Sequence, residues 1–329
     1  MPYLHIPPPW SLPESQTTPE QAYFTRRQVL KGLLGLSTAI VAPSLGGCQT
    51  QAGGGDPLPQ SLDRPPLADY GTHPDFAALD RPLTDPLLAG QYNNFYEFGG
   101  TKSIWRAAQA LPTEPWTIEV GGLVNNPQTY DLDDLRRSFS LEERLYRFRC
   151  VEAWSMALPW IGFPMRKLVE AADPKPEAQF VRFTSFYEPT ITPGPGVFSG
   201  FYPWPYTEAL TLAEMTNELA FFAVGIYGRL LPKQHGAPLR AVLPWKYGFK
   251  GAKSIVKIEF TRSQPATFWN TIQPKEYAFE SNVDPTVPHP RWSQAEERFI
   301  SEGPNLSWTI RPTLPYNGYG DFVAELYRT

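Results

Sequence analysis

Thiols are almost missing from this chain of 329 residues, which has two cysteines, Cys48 and Cys150. Cys48 falls in a leader-like segment, where it is either lipidated or removed. Cys150 is then left without a partner, and an intramolecular disulfide is excluded. There is no Cys-x-x-Cys-His for haem attachment, no Gly-x-Gly-x-x-Gly opening a helix, no Walker loop and no Gly-x-Ser-x-Gly elbow. Haem, nucleotide and flavin chemistry are therefore unsupported by motif. The four histidines, His5, His73, His235 and His289, are too scattered for a local zinc cluster. Positive charge is not in excess either. The formal net charge is −4, the pI is about 5.7, and no extended basic run follows the leader, which argues against nucleic acid as a partner.

The leader itself is present and legible. Thr25-Arg26-Arg27-Gln28-Val29-Leu30-Lys31 precedes a mildly apolar stretch, Gly32 to Leu45, that is too short to span a bilayer. Pro43 and Gly46-Gly47 end that stretch where a processing site belongs. Residues 1–48 thus read as a twin-arginine signal peptide, handed to the twin-arginine translocation machinery and delivered to the periplasm. That route moves folded proteins, usually because a cofactor is inserted in the cytoplasm. Leu45-Gly46-Gly47-Cys48 resembles a lipobox, so the mature protein is either lipid-anchored through Cys48 or cleaved beyond it.

Residues 49–90, with Gly53-Gly54-Gly55 followed by Pro57, Pro59, Pro65 and Pro66, read as a tether and an N-terminal arm. Beyond them the 37 prolines of the chain are scattered among Trp and Tyr, a pattern of short strands joined by fixed loops. Alternation predicts strands over Trp116–Val120, Tyr146–Cys150, Phe180–Phe186 and Ser254–Thr261. Helices are expected over Asp131–Arg137, over Phe163–Val169 with Pro164 in the first turn, and more weakly over 212–219 and 320–327. With 42% hydrophobic and 19% charged residues, no βαβ series and no composition break, residues 91–329 read as a single α+β domain.

Three segments bear chemistry. In Tyr146-Arg147-Phe148-Arg149-Cys150 a period of two puts Cys150 on the face opposite both arginines. Those arginines neutralise something beyond that face or pair with acids such as Glu142, Glu143 or Glu152. Cys150 is either a thiolate whose charge a metal accepts or a buried, protonated structural thiol. In the stretch His235 to Ser254, glycine-rich backbone beside Arg240, Lys246, Lys250 and Lys253 suits an anion such as a phosphate, and equally an exposed basic turn. The lysines at 246, 250, 253 and 257 have helical spacing, but Gly248 and Gly251 favour a loop leading into a strand. Tyr92-Asn93-Asn94-Phe95-Tyr96-Glu97-Phe98-Gly99 suits a flat heterocycle, or an ordinary loop with its aromatics on the core.

Arg149-Cys150-Val151-Glu152-Ala153-Trp154-Ser155-Met156, Asn93 to Phe98, the stretch 235–253 and Pro288 to Ala295 together resemble the sulfite oxidase family of molybdenum enzymes. Within it they are most similar to the bacterial periplasmic branch that reduces methionine sulfoxide in proteins. The resemblance runs from about residue 90 to the C-terminus. It implies a sulfite-oxidase-type molybdopterin-binding fold of mixed sheets and short helices, and one molybdenum-molybdopterin per chain with Cys150 as the protein ligand to the metal. It places Asn93, Tyr96, Glu97, Ser185, His235, Arg240, Gly251, Ala252 and Lys253 against the cofactor. Ser185 and His235 stand where other members have Thr and Asn; both replacements keep hydrogen-bonding capacity. The implied reaction is oxygen-atom transfer from methionine sulfoxide in oxidised periplasmic proteins, with electrons from a haem-containing membrane subunit. Other readings are sulfite oxidation, reduction of small S- or N-oxides, and a non-enzymatic exported lipoprotein that binds a ligand.

Overall fold

The computed structural model describes residues 62–196, 199–300 and 306–328. The twin-arginine segment, Cys48 and the first part of the tether lie outside the described residues. In chain order the strands are β1 (Tyr70–Thr72), β2 (Thr117–Gly122), β3 (Gln128–Asp131), β4 (Leu141–Arg149), β5 (Trp154–Pro164), β6 (Phe180–Ser185), β7 (Thr207–Thr211), β8 (Phe221–Ile226), β9 (Arg229–Leu230), β10 (Arg240–Val242), β11 (Ile255–Thr261), β12 (Glu296–Phe299) and β13 (Thr309–Pro312). One sheet runs β1-β4-β5-β12-β13, with β8 beside β5 carrying β9 and β10. The other runs β3-β2-β11-β6-β7. Short helices join them, and none among the described residues is long and apolar enough to cross a membrane. This is the expected α+β organisation.

The strands with clear alternation fall where the sequence places them. In β6 every second residue, Val181, Phe183 and Ser185, is buried, so one face packs on the core and the other meets solvent. Helix Leu132–Ser138 is closed by a capping box in which Asp131 accepts from the Asp134 N–H at 2.6 Å. Its last turn carries Arg136 and Arg137, as the helix dipole favours. Two expectations need correction. Pro164 is not inside a helix, because it ends β5 and the helix starts at Met165. The C-terminal helix breaks into Gly320–Val323 and a 3-10 turn at Ala324–Tyr327.

Strand β5 is the spine of the first sheet, and all eleven of its residues are buried. On one side it pairs with β4 from Arg149↔Ser155 to Glu142↔Gly162. Its other side is shared, Trp154 and Ser155 pairing with β12 and Trp160 to Pro164 with β8. Arm residues complete this layer: Pro66 bridges Arg229 and β1 adds in parallel to the start of β4.

Gly162 marks the register shift between β5 and β8. A Cβ there would lie 1.8 Å from the Phe222 carbonyl oxygen, which is backbone and cannot swing aside. Gly162→Ala should therefore lower stability by about 1–3 kcal/mol, the usual cost of overpacking. Gly71→Ala, where a Cβ meets nothing within 4 Å, should be near neutral. Denaturant unfolding of the two variants beside the parent checks the contrast.

Candidate active site

Cys150 occupies a tight turn. Strand β4 ends at Arg149, the Cys150 N–H donates to the Trp154 carbonyl at 2.9 Å, and the Ala153 N–H donates back to the Cys150 carbonyl at 3.1 Å. Ala153 takes a left-handed conformation, φ 63°, and reverses the chain into β5. The period-two reading holds for the arginines, but their partners differ from those expected. Arg147 pairs with Asp80 at 3.0 Å, and Arg149 with Glu297 at 3.5 Å and Gln294 at 2.8 Å. Glu142 instead holds Arg144, and Glu152 holds Lys102. Both flanking arginines are consumed away from the sulfur.

The thiol faces a cavity of about 1100 Å³, counting the part open to solvent. Its walls come from both sheets and from the segment 89–100: Phe148, Trp154 and Trp160 from the first sheet, Tyr206, Gly251 and Lys253 from the ends of the second. Of the residues singled out from sequence, Asn93, Tyr96, Glu97, Cys150, His235, Arg240, Gly251 and Lys253 line this space. Ser185 and Ala252 do not. Ser185 is buried near the Glu97 carboxyl, which burial raises to about 7 against the weaker opposing pull of Lys253 and of Ser185 itself, and the Ser185 hydroxyl makes no fully formed hydrogen bond. Ala252 is buried and its N–H donates to the Lys250 carbonyl at 3.1 Å. The Gly251 N–H is likewise committed, to Gly248 at 3.2 Å. Side-chain cations, not free loop amides, supply positive charge here.

The basic stretch divides by function. Lys246 and Lys250, expected as part of an anion-binding loop, are instead buried ion pairs with Glu214 at 2.5 Å and Glu208 at 2.7 Å. Arg240 has no carboxylate among the described residues. It donates to the carbonyls of His235 at 3.0 Å and Ala241 at 3.2 Å, lies over Trp160, and is pushed down to about 10 by burial. Lys253 is lowered to about 8, by burial and then by Arg240, with Glu97 opposing. Gly236, at φ 93°, is needed because a Cβ there would lie 2.6 Å from the Lys253 side chain. Neither enclosed cation has an ion-pair partner among the described residues, and the carboxyl that acts on Lys253, Glu97, is itself raised to about 7 by burial, so an arriving anion is favoured. Beside them Asn93 Oδ1 and His235 Nε2 are buried without hydrogen-bond partners, an arrangement that native interiors rarely leave unanswered.

At the sulfur end, burial first and then Glu152 push the Cys150 thiol up to about 12. It becomes a thiolate only when something takes its charge. Asn94 Nδ2 lies 3.5 Å from Sγ and Glu152 Oε2 lies 3.7 Å from it. Burial raises the Glu152 pKa, but Asn94 at 2.9 Å, Lys102 and Trp154 Nε1 at 3.1 Å outweigh it and hold the carboxyl below its ordinary value. Lys102, Tyr206, Trp269 and Tyr277 were not foreseen. No spacing links them to Cys150, and only the folded chain brings them near.

The family model described as "Oxidoreductase molybdopterin binding domain" matches residues 106–269. Among solved structures, the sulfane dehydrogenase SoxCD from Paracoccus pantotrophus is similar at 17% identity and TM-score 0.39, over 46% of this chain and 40% of that chain. This chain thus spans well under half of that relative's length. The cavity fits a molybdopterin. Unpaired Arg240 and Lys253 answer a phosphate, the orphaned Asn93 and His235 atoms answer ring donors and acceptors, and a buried thiol answers a soft metal.

Cys150→Ser should leave a folded protein without turnover, since an alcohol is a poor soft-metal ligand. Arg240→Ala and Lys253→Ala should lower molybdopterin content several-fold while the apo-protein unfolds no earlier than its parent. Metal and pterin analysis beside thermal melts checks both. His235 gives a pH signature. Burial, then Arg240 and Lys253, drive its pKa down to about 3 from 6.5. Below 6.5 the unfolded chain takes up a proton that the folded chain refuses. The apo-protein therefore loses stability as pH falls from 6.5 towards 3, by at most about 1.4 kcal/mol per unit. His235→Asn should flatten that slope in urea titrations.

Proposed function

We propose that this chain, a molybdopterin-binding oxidoreductase, reduces methionine sulfoxide in periplasmic proteins by oxygen-atom transfer. The observation that carries the reading is the charge around Cys150. An ionised carboxylate, Glu152, stands 3.7 Å from the sulfur, and the nearby arginines, 147 and 149, are turned away into pairs with Asp80 and Glu297. A sulfite dianion would approach a carboxylate whose ion-pair partner, Lys102, is already spent on it, while Arg298 is held on the Glu152 carbonyl. A neutral sulfoxide meets no such repulsion.

Molybdenum-molybdopterin supplies two-electron oxygen-atom transfer. The protein's part is to bind, orient and exclude water. Cys150 offers the thiolate. Asn94, Lys102 and Trp154 lock the Glu152 carboxylate in place, and Tyr92, Trp154 and Trp269 line the chamber with aromatic surface that disfavours water beside the sulfur. The overall change, sulfoxide plus two electrons and two protons giving thioether and water, needs an external donor. No second thiol is at hand to serve, since Cys150 is the free cysteine of the described residues. A haem-bearing membrane partner in the periplasm fits that need, with the twin-arginine leader delivering the loaded protein to it.

The test is molybdenum quantification followed by turnover with an artificial dye donor. The loaded protein should reduce methionine sulfoxide and leave sulfite essentially unoxidised. The Arg26→Lys, Arg27→Lys precursor should retain that activity but stay in the cytoplasmic fraction. Sulfite turnover exceeding sulfoxide turnover would overturn the assignment.

A further inference from the structure

Among the described residues, strand β13 is an edge strand beside the mouth of the cavity. Among those residues it pairs with β12 alone, and an apolar stripe at period two runs into it: Leu306 and Trp308, ahead of the strand, and Ile310, within it, are 44%, 37% and 56% exposed. Edges of this kind are usually blunted by charge or covered, and exposed apolar stripes mark contact sites.

The ladder also decides which backbone groups are free. Thr313 donates its N–H to Ala295, just before β12, while Arg298 and Ile300 turn theirs the other way, to Ala153 and Ser155. Alternation along the pair then makes Arg298↔Ile310 a pair without mutual hydrogen bonds. The N–H and C=O of Ile310 point outward, ready for another strand.

This edge is continuous with the site. Trp308 packs edge-on against Tyr92 at 5.5 Å, and Tyr92 packs edge-on against Trp154 at 5.2 Å. Tyr92 and Trp154 both line the cavity with Cys150. Arg298 lies 5.4 Å over the Trp308 ring and donates to the Glu152 carbonyl at 3.0 Å, so this face of the hairpin opens on the mouth.

We propose that β13 is the docking edge for an extended segment of the oxidised polypeptide substrate. The segment adds as a strand through the Ile310 backbone, sets apolar side chains on Trp308 and Ile310, and turns its methionine sulfoxide past Tyr92 toward Cys150. The proposal rests on the sulfoxide reading above and adds how a protein, as opposed to a free oxide, is held.

Two variants test it. Ile310→Pro removes the outward N–H together with the exposed Ile310 side chain, a change that edge strands tolerate. Trp308→Lys puts a charge on the shelf without touching a buried residue. The probe is a fluorescein-labelled peptide of about ten residues with one methionine sulfoxide between valines and threonines; N-acetyl-methionine sulfoxide is the free control. Each variant should lose about ten-fold in kcat/KM on the peptide and weaken its binding by anisotropy to match, as expected for one lost hydrogen bond or apolar contact. Turnover of the free sulfoxide should stay within about two-fold. Equal losses on both substrates, or none on the peptide, would overturn the docking edge. So would sedimentation revealing a dimer that Ile310→Pro dissolves while peptide binding is unchanged, since a second copy would then own the edge. If the parent binds the peptide through β13 but reduces neither oxide, the docking edge stands and the sulfoxide reading falls.

Discussion

The site depends on how tightly strand β5 is held. It is sandwiched between β4 on one side and both β8 and β12 on the other, so the turn that precedes it has no freedom to drift. Cys150 hangs from that turn with its backbone tied to Trp154 and Ala153. The Arg149 guanidinium braces it from behind, donating to the Cys150 carbonyl and to Gln294, which in turn holds the Val151 carbonyl at 2.8 Å. The arginines beside the cysteine therefore act as scaffold. They fix where the sulfur points while their main pairings are with Asp80 and Glu297, with Arg149 also exerting a small downward pull on the thiol's pKa, and sites are most precise when built on such rigid supports.

Charge is partitioned by the same logic. Four basic side chains lie within fourteen positions, yet Lys246 and Lys250 are neutralised inside the core by Glu214 and Glu208, while Arg240 and Lys253 keep their charge for the cavity. The paired lysines knit the loop before β11 to the neighbouring strand β7 and the helix after it. Removing either partner of such a pair strands a buried charge and is costly. The chamber thus carries two cations without ion-pair partners among the described residues, Arg240 and Lys253, together with the carboxyls of Glu97 and Glu152, the latter beside the sulfur.

Much of this was legible beforehand, and the failures have physical causes. β2, β6 and β11 each bury one face, so their residues alternate and announce themselves. β5 buries both, its run Trp154 to Pro164 has no period, and its two prolines argue for a loop. Even spacing of Lys246, Lys250 and Lys253 carries no information on which will find a carboxylate, because Glu214 and Glu208 lie on other elements. Glu152 is two residues from Cys150, yet its importance depends on Lys102 and Asn94 arriving from fifty and more positions away. Residues whose roles come from local backbone geometry were readable. Those whose roles come from long-range neighbours were not.

Those long-range neighbours also bear on how the chamber comes into being. The register Lys257↔Glu119 and the register Arg298↔Trp154 each join strands separated by well over a hundred residues, in parallel pairings that no hairpin can initiate. Closing such loops is entropically slow compared with zipping β4 onto β5. The hairpin bearing Cys150 is therefore a local product of the chain, whereas Arg240, on β10 of the same sheet, and Lys253, just before β11 of the other, join the cavity only through longer-range pairings. Ligand acceptance and chain collapse belong to one process: an anion that satisfies the two stranded cations rewards the closure that brings them together.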